Sequence, residues 1–156
     1  MGFSNLKNAN PEVDPWLLPQ GETILLPYAC ILPVDAIAGL TINLAELRLY
    51  HLWKNEQGWQ VRIYPVGIGS EGSETPLGDF SVLSKRENPI WTVPDSVRKT
   101  QPELPESVPP GPDNPRGQFW LGFASNGYGI HGTNKPFGIG RRVSHGCLRT
   151  YPEDIR

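Results

Sequence analysis

From Thr41 onward the chain alternates apolar and polar residues, the signature of strands with one buried face. Ile42 and Leu44 are in phase, the pattern breaks at Ala45-Glu46, and Leu47 and Leu49 resume in the opposite phase, which predicts a hairpin. A second turn at Asn55-Glu56-Gln57-Gly58 leads into a strand with Trp59, Val61 and Ile63 on one face. Phe80 with Val82, and then Phe119, Leu121 and Phe123, repeat the alternation. Tyr128-Gly129-Ile130 runs straight into His131, so that histidine belongs at a strand end, on the rim of a sheet.

The flanks follow other patterns. Residues 1–27 have the look of a small module: Ser4 is a candidate cap for a short helix ending near Asn10-Pro11, Asp14-Pro15-Trp16 makes a turn, and Thr23–Pro27 reads as a strand. Residues 28–39 form a linker with a boundary near residue 35, and 40–156 form the main domain. Between Asn88 and Arg116 lie eight prolines, which exclude a central strand or a regular helix. Trp91 and Val93 supply apolar anchors there, so the stretch reads as an ordered, substrate-facing lid. Thr150-Tyr151-Pro152-Glu153 has the form of a capping box and predicts a helix start. A helix ending at Arg156 would bury almost nothing, so the natural protein is expected to continue.

Composition sharpens the fold class. With 17 Gly and 17 Pro in 156 residues, a helical bundle is excluded and a mainly β protein with many turns is expected. Fourteen basic and sixteen acidic side chains give a net charge of -2 without long single-sign runs, so nucleic acid is not an expected partner. No apolar run reaches membrane-spanning length, and Met1–Asn5 lacks the basic and apolar regions of a secretory leader. On these residues the protein is cytosolic or its leader lies outside the chain. Two cysteines, Cys30 and Cys147, make no disulfide framework, and Cys30 sits in an apolar stretch that suits a buried structural thiol.

Cys147 has a different neighbourhood. Ser144-His145-Gly146 precede it and Leu148-Arg149 follow it, a polar and cationic setting of the kind that stabilises a thiolate nucleophile. Two histidines compete to be its base: His145, two positions away, and His131, sixteen positions earlier. A base needs one ring nitrogen about 3 Å from the sulfur and the other held by an acceptor, and with no acid near His131 the Gly132 carbonyl is the candidate orienter. The amides of His145, Gly146 and Cys147 are candidates for an oxyanion hole. Arg149 is a candidate partner for a substrate carboxylate, the alternative being a surface salt bridge. Ser144 and Tyr128 complete the expected oxyanion and substrate-binding set with Gly146 and Arg149. His51, in a strand with no polar cluster, reads as a surface residue. His131, His145 and Cys147 also match a three-ligand zinc pattern, but with no Cys-x-x-Cys or His-x-x-x-His pair neither a metal nor any cofactor is expected.

His131 followed by Ser144-His145-Gly146-Cys147-Leu148-Arg149 resembles the signature of L,D-transpeptidase catalytic domains of the YkuD type, in the ErfK/YbiS/YcfS/YnhG branch. Leu47-Arg48-Leu49-Tyr50, Thr75-Pro76-Leu77-Gly78-Asp79-Phe80, Pro109–Pro115 and Tyr151–Ile155 extend the resemblance over most of residues 40–156. Residues 8–27 are similar to the second half of a LysM peptidoglycan-binding module. The resemblance implies a β-sandwich or barrel with short helices, a catalytic domain cut short at its C-terminus, and no metal. It further implies a thioester on Cys147 formed from a peptidoglycan tetrapeptide stem with loss of D-Ala, His131 as base, Gly132 as its orienter, and oxyanion amides at His145, Gly146 and Cys147. The acceptor would be a second stem or a lipoprotein lysine; water would make the enzyme an L,D-carboxypeptidase, and a silent wall-binding protein is the remaining alternative. A carbapenem is the implied inhibitor and the periplasm or cell wall the implied location.

Overall fold

The computed structural model describes residues 2–27, 31–34, 37–123 and 127–156. The expected mainly β architecture is observed. Strands β1 (Gly39–Asn43), β2 (Arg48–Asn55) and β3 (Gly58–Pro65) form an antiparallel meander, with Asn43 paired to Arg48 and Asn55 to Gly58. Both hairpins are set by asparagine: the Asn43 Oδ1 accepts from the amides of Ala45 and Glu46, and the Asn55 Oδ1 accepts from Gln57. Trp59, Val61 and Ile63 do share a face of β3, but Trp59 and Val61 are exposed, and the core side belongs to Tyr64 with Leu49 and Ile42.

After β3 the chain crosses through β4 (Ile68–Gly69) to a second sheet ordered β11-β9-β8-β5, made of Leu148–Arg149, Gly129–His131, Phe119–Phe123 and Val82–Glu87. β10 (Arg142–Ser144) pairs with β4 in parallel, and β11 pairs with β9 in parallel, Leu148 opposite Ile130 and Arg149 opposite His131. The two sheets meet over Leu49, Val66, Ile68, Ile130 and Leu148, with Leu121 and Phe123 packed around them. A cleft of about 710 Å³ opens between the sheets beside Tyr64, Leu121 and Ile155. Among the described residues no helix is long and apolar enough to cross a membrane.

Several local expectations change. The helix α1 spans Phe3–Ala9, but its N-cap is Gly2; the Ser4 hydroxyl instead donates to the Gly140 carbonyl at 2.5 Å, docking the helix on the loop before β10. Arg141 lies 3.8 Å from the Phe3 ring on the same contact. Thr23–Pro27 is not a strand: among the described residues no neighbour pairs with it, and the Asn10 amide clamps the Leu25 backbone at 2.7 and 2.9 Å. The stretch from Asn88 to Arg116 is ordered but not structureless. It pairs β6 (Trp91–Thr92) with β7 (Ser107–Val108) around a helix α2 at Asp95–Thr100, which fits the proline-free window between Pro94 and Pro102. Val93 and Val97 are buried beneath it. Thr150–Glu153 starts no helix; Asp154 returns an amide to the Tyr151 carbonyl in a turn, because the Thr150 hydroxyl is spent on the His131 carbonyl. Cys30 and the boundary near residue 35 lie outside the described residues.

Asn114 ties this proline-rich stretch together. It is fully buried, its Nδ2 donates to the carbonyls of Pro89, Pro109 and Val108, and its Oδ1 accepts from the Arg116 amide. Asn114→Ala strands these groups away from water, and urea unfolding is expected to show a loss of about 1–3 kcal/mol, with proteolytic cleavage beginning inside residues 88–116.

Candidate active site

Ile130 and Leu148 are each 1 % exposed and face the core. Side chains alternate along a strand, so the residues beside them, His131 on β9 and Cys147 and Arg149 flanking Leu148, turn to the opposite face of the sheet. The register extends outward: His131 is paired with Trp120 on β8, and Trp120 with Arg86 on β5. Arg86, Trp120, His131 and Arg149 therefore form one row across four strands. The indole of Trp120 stacks on the imidazole with centroids 5.8 Å apart, in space left by Gly129, where a Cβ would come within 2.8 Å of the ring.

His131 is held through its ring. Its Nδ1–H donates to the Gly132 carbonyl at 2.5 Å, which fixes the tautomer and leaves Nε2 as the free lone pair. The His131 carbonyl accepts from both the amide and the hydroxyl of Thr150. Burial pushes the imidazole pKa down to about 3, reinforced by the Arg149 and Arg116 charges and only partly offset by the Gly132 bond. His145 is on an exposed bend after β10 rather than on an extended segment, so the side-by-side arrangement with Cys147 does not form. Of the two histidines, only His131 is buried and stacked against the sheet, on Trp120.

The turn before the thiol is built around Ser144. Its hydroxyl donates to the Cys147 carbonyl at 2.6 Å and accepts from the Gly146 amide at 3.1 Å, while its own carbonyl accepts from Ser70. Gly146 has φ of 100°, and a Cβ there would run into the Tyr128 ring, so the turn and Tyr128 both demand glycine. The Gly146 amide is consequently spent inside the turn. This narrows the three-amide expectation: His145 and Cys147 retain amides with no partner among the described residues, whereas the Gly146 amide is bonded to Ser144.

Cys147 is a half-buried free thiol with Sγ 3.8 Å from the Gly127 carbonyl. The cationic neighbourhood was expected to lower its pKa. Burial outweighs it: the thiol is pushed up, although the Gly129 backbone, Arg116 and Arg149 pull the other way. At rest the thiol is held protonated and the imidazole neutral, so proton transfer must accompany attack. The thiol does not open into the cleft between the sheets, whose lining excludes Cys147, His131 and Arg149. Trp120, Arg116 and Thr150 were missed as site residues. The alternation of Phe119, Leu121 and Phe123 already put Trp120 on the face away from the core; nothing local marked Arg116.

A β fold carrying a thiol, a carbonyl-oriented imidazole and two free amides on one sheet face defines a cysteine acyl-transfer site. The chain belongs to the family of L,D-transpeptidase catalytic domains, whose YkuD model matches residues 38–156. It is 44 % identical over 162 residues to the probable L,D-transpeptidase YbiS of Escherichia coli K12, covering 100 % of this chain and 52 % of that protein. It is 39 % identical over 160 residues to the probable L,D-transpeptidase ErfK/SrfK of Salmonella typhimurium LT2, covering 99 % of this chain and 51 % of that one. The chain thus spans about half the length of these relatives. The solved catalytic domain of the Enterococcus faecium L,D-transpeptidase acylated by ertapenem shares the fold, with a TM-score of 0.52 and 21 % identity, covering 74 % of this chain and 81 % of that one.

Two outcomes test this geometry. The His131 pKa is about 3 when folded and about 6.5 when unfolded, so the unfolded chain binds more protons between those values and stability falls as pH drops through that window. Urea unfolding at pH 7 and pH 4.5 should show that loss in the wild type and a smaller one in His131→Gln. Ser144→Ala removes both bonds that shape the turn; it should lower stability by about 1–3 kcal/mol, read by the same unfolding curves, and slow acylation of Cys147.

Proposed function

We propose that this protein is a peptidoglycan L,D-transpeptidase in which Cys147 cleaves the bond between the third residue of a tetrapeptide stem, commonly meso-diaminopimelate, and its terminal D-Ala. The observation that carries the reading is the shared sheet face of Cys147 and His131, with Nδ1 tied to Gly132 and Nε2 left free. Family membership over residues 38–156 supplies the reaction class.

In the acylation half, Sγ attacks the stem carbonyl as its proton passes to His131 Nε2, and the carbonyl oxygen becomes an oxyanion facing the His145 and Cys147 amides. Collapse breaks the C–N bond; the proton on His131 goes to the leaving nitrogen, and D-Ala departs. An amine of a second stem then attacks the thioester while His131 takes its proton, the tetrahedral species collapses with the C–S bond breaking, and the proton returns to sulfur. The same acyl-enzyme could be resolved by a lipoprotein lysine or, as a carboxypeptidase, by water. The flap over residues 88–116 acts as the lid over the donor, and the enzyme works in the periplasm or cell wall. Carbapenems acylate the same thiol in this reading.

Incubation with a tetrapeptide donor and a competing amine, followed by mass spectrometry, tests the proposal. D-Ala release, an amine-linked product and a carbapenem adduct are expected, and all three should be lost in Cys147→Ala. D-Ala release that persists in that variant would refute the nucleophile.

A further inference from the structure

The catalytic row carries more positive charge than the chemistry above uses. Arg86 and Arg149 stand at its two ends, and Arg116 lies over its middle, its guanidinium carbon 4.0 Å from the centre of the Trp120 ring. Arg116 is close enough to Arg86 for that like charge to act on it, and close enough to Cys147 to act on the thiol. Among the described residues the ion pairs all belong to Arg98, so none of these three arginines has a carboxylate partner. Arg149 adds an independent sign of vacancy: its Nε is buried without a hydrogen-bond partner.

Arg116 is also fixed in place. Its amide donates to the buried Asn114 side chain at 2.9 Å, and the next residue, Gly117, passes so close to Gly132 that a Cβ would sit 3.2 Å from the Gly132 carbonyl carbon. The base of the flap and the strand end bearing the base are thus joined at Arg116. Holding the like charges of Arg116 and Arg149 half-buried and unpaired is costly, and the cost is recovered when an anion enters beside them; Arg86, exposed at the far end, adds a third charge. Planar guanidinium groups suit a carboxylate, which they grip with two parallel hydrogen bonds.

We propose that Arg86, Arg116 and Arg149 form a carboxylate subsite along the catalytic row, through which the enzyme selects acyl donors that carry a free carboxylate over the same donors bearing a carboxamide. This inference rests on the transpeptidase reading above. Arg149 lies two residues from the nucleophile and anchors the end of the subsite nearest the scissile bond, while Arg116 and Arg86 extend it toward β5. Arg116 is the specificity-determining residue, because it alone is fastened both to the flap and to the row.

The test uses a tetrapeptide donor and a set of its derivatives, each amidated at a single carboxyl group, with acyl-enzyme formation followed by mass spectrometry. For the wild type, kcat/KM should favour the free acid over one of the amides by about 10-fold or more, the difference between a charge-assisted and a neutral pair of bonds. In Arg116→Gln that ratio should fall toward 1, and in Arg116→Lys it should be partly restored. Arg86→Gln, at an exposed strand position, should lower the ratio too and serves if Arg116→Gln misfolds. A purely structural role for Arg116 would depress all donors alike and leave the ratio unchanged, which would overturn the subsite. A wild-type ratio near 1 for every amide would do the same. If no donor gives an acyl-enzyme while iodoacetamide still alkylates Cys147, the transpeptidase reading fails and the subsite with it.

Discussion

The site depends on one short stretch of parallel pairing. Leu148 opposite Ile130 is what the core requires, since both side chains close the interior between the two sheets. Everything reactive is the by-product of that choice: with a side-chain period of two, burying those residues turns His131, Cys147 and Arg149 outward together. A slip of one residue on β9 would put the imidazole into the core, and a slip on β11 would turn the thiol and Arg149 inward. The strands are only two and three residues long, so the register is reinforced from outside, by Thr150 on the His131 carbonyl and by Gly67 exchanging both backbone bonds with Arg149.

Electrostatics then sets how the pair works. Burial holds the thiol protonated and the imidazole neutral, and nearby arginines act on both without reversing either. A resting ion pair would be more nucleophilic, but it would also be exposed to oxidants and to misdirected acylation. Among the described residues no carboxylate pairs with the surrounding arginines. The Ser144 turn serves the same end: by spending the Gly146 amide internally it fixes the direction of the two amides on either side.

The mainly β fold class was legible in the sequence, and so was a bond from His131 to the Gly132 carbonyl. Cys147, His131 and the Gly132 carbonyl follow from residue type and family signature, and the strands bearing them follow from alternation. What failed were local signals overridden by distant partners. Ser4 looks like a cap until Gly140 claims its hydroxyl, Thr150 looks like a capping box until the His131 carbonyl claims it, and the Gly146 amide looks free until Ser144 folds over it. Prolines were read as excluding a helix between Asn88 and Arg116, although six proline-free residues were enough for α2. Trp120 was visible in principle, as a large aromatic residue on the side of β8 facing away from the core. Arg116 was not, because its place beside the row is set by Asn114 and the flap, a contact that spans the fold.

The central claim is the register that puts thiol and imidazole on one face, and cross-strand nuclear Overhauser effects in an isotopically labelled sample measure it directly. The account predicts contacts that align Leu148 with Ile130 and Arg149 with His131, together with a protected Thr150 amide. Contacts displaced by one residue, with Leu148 aligned to His131, would contradict it.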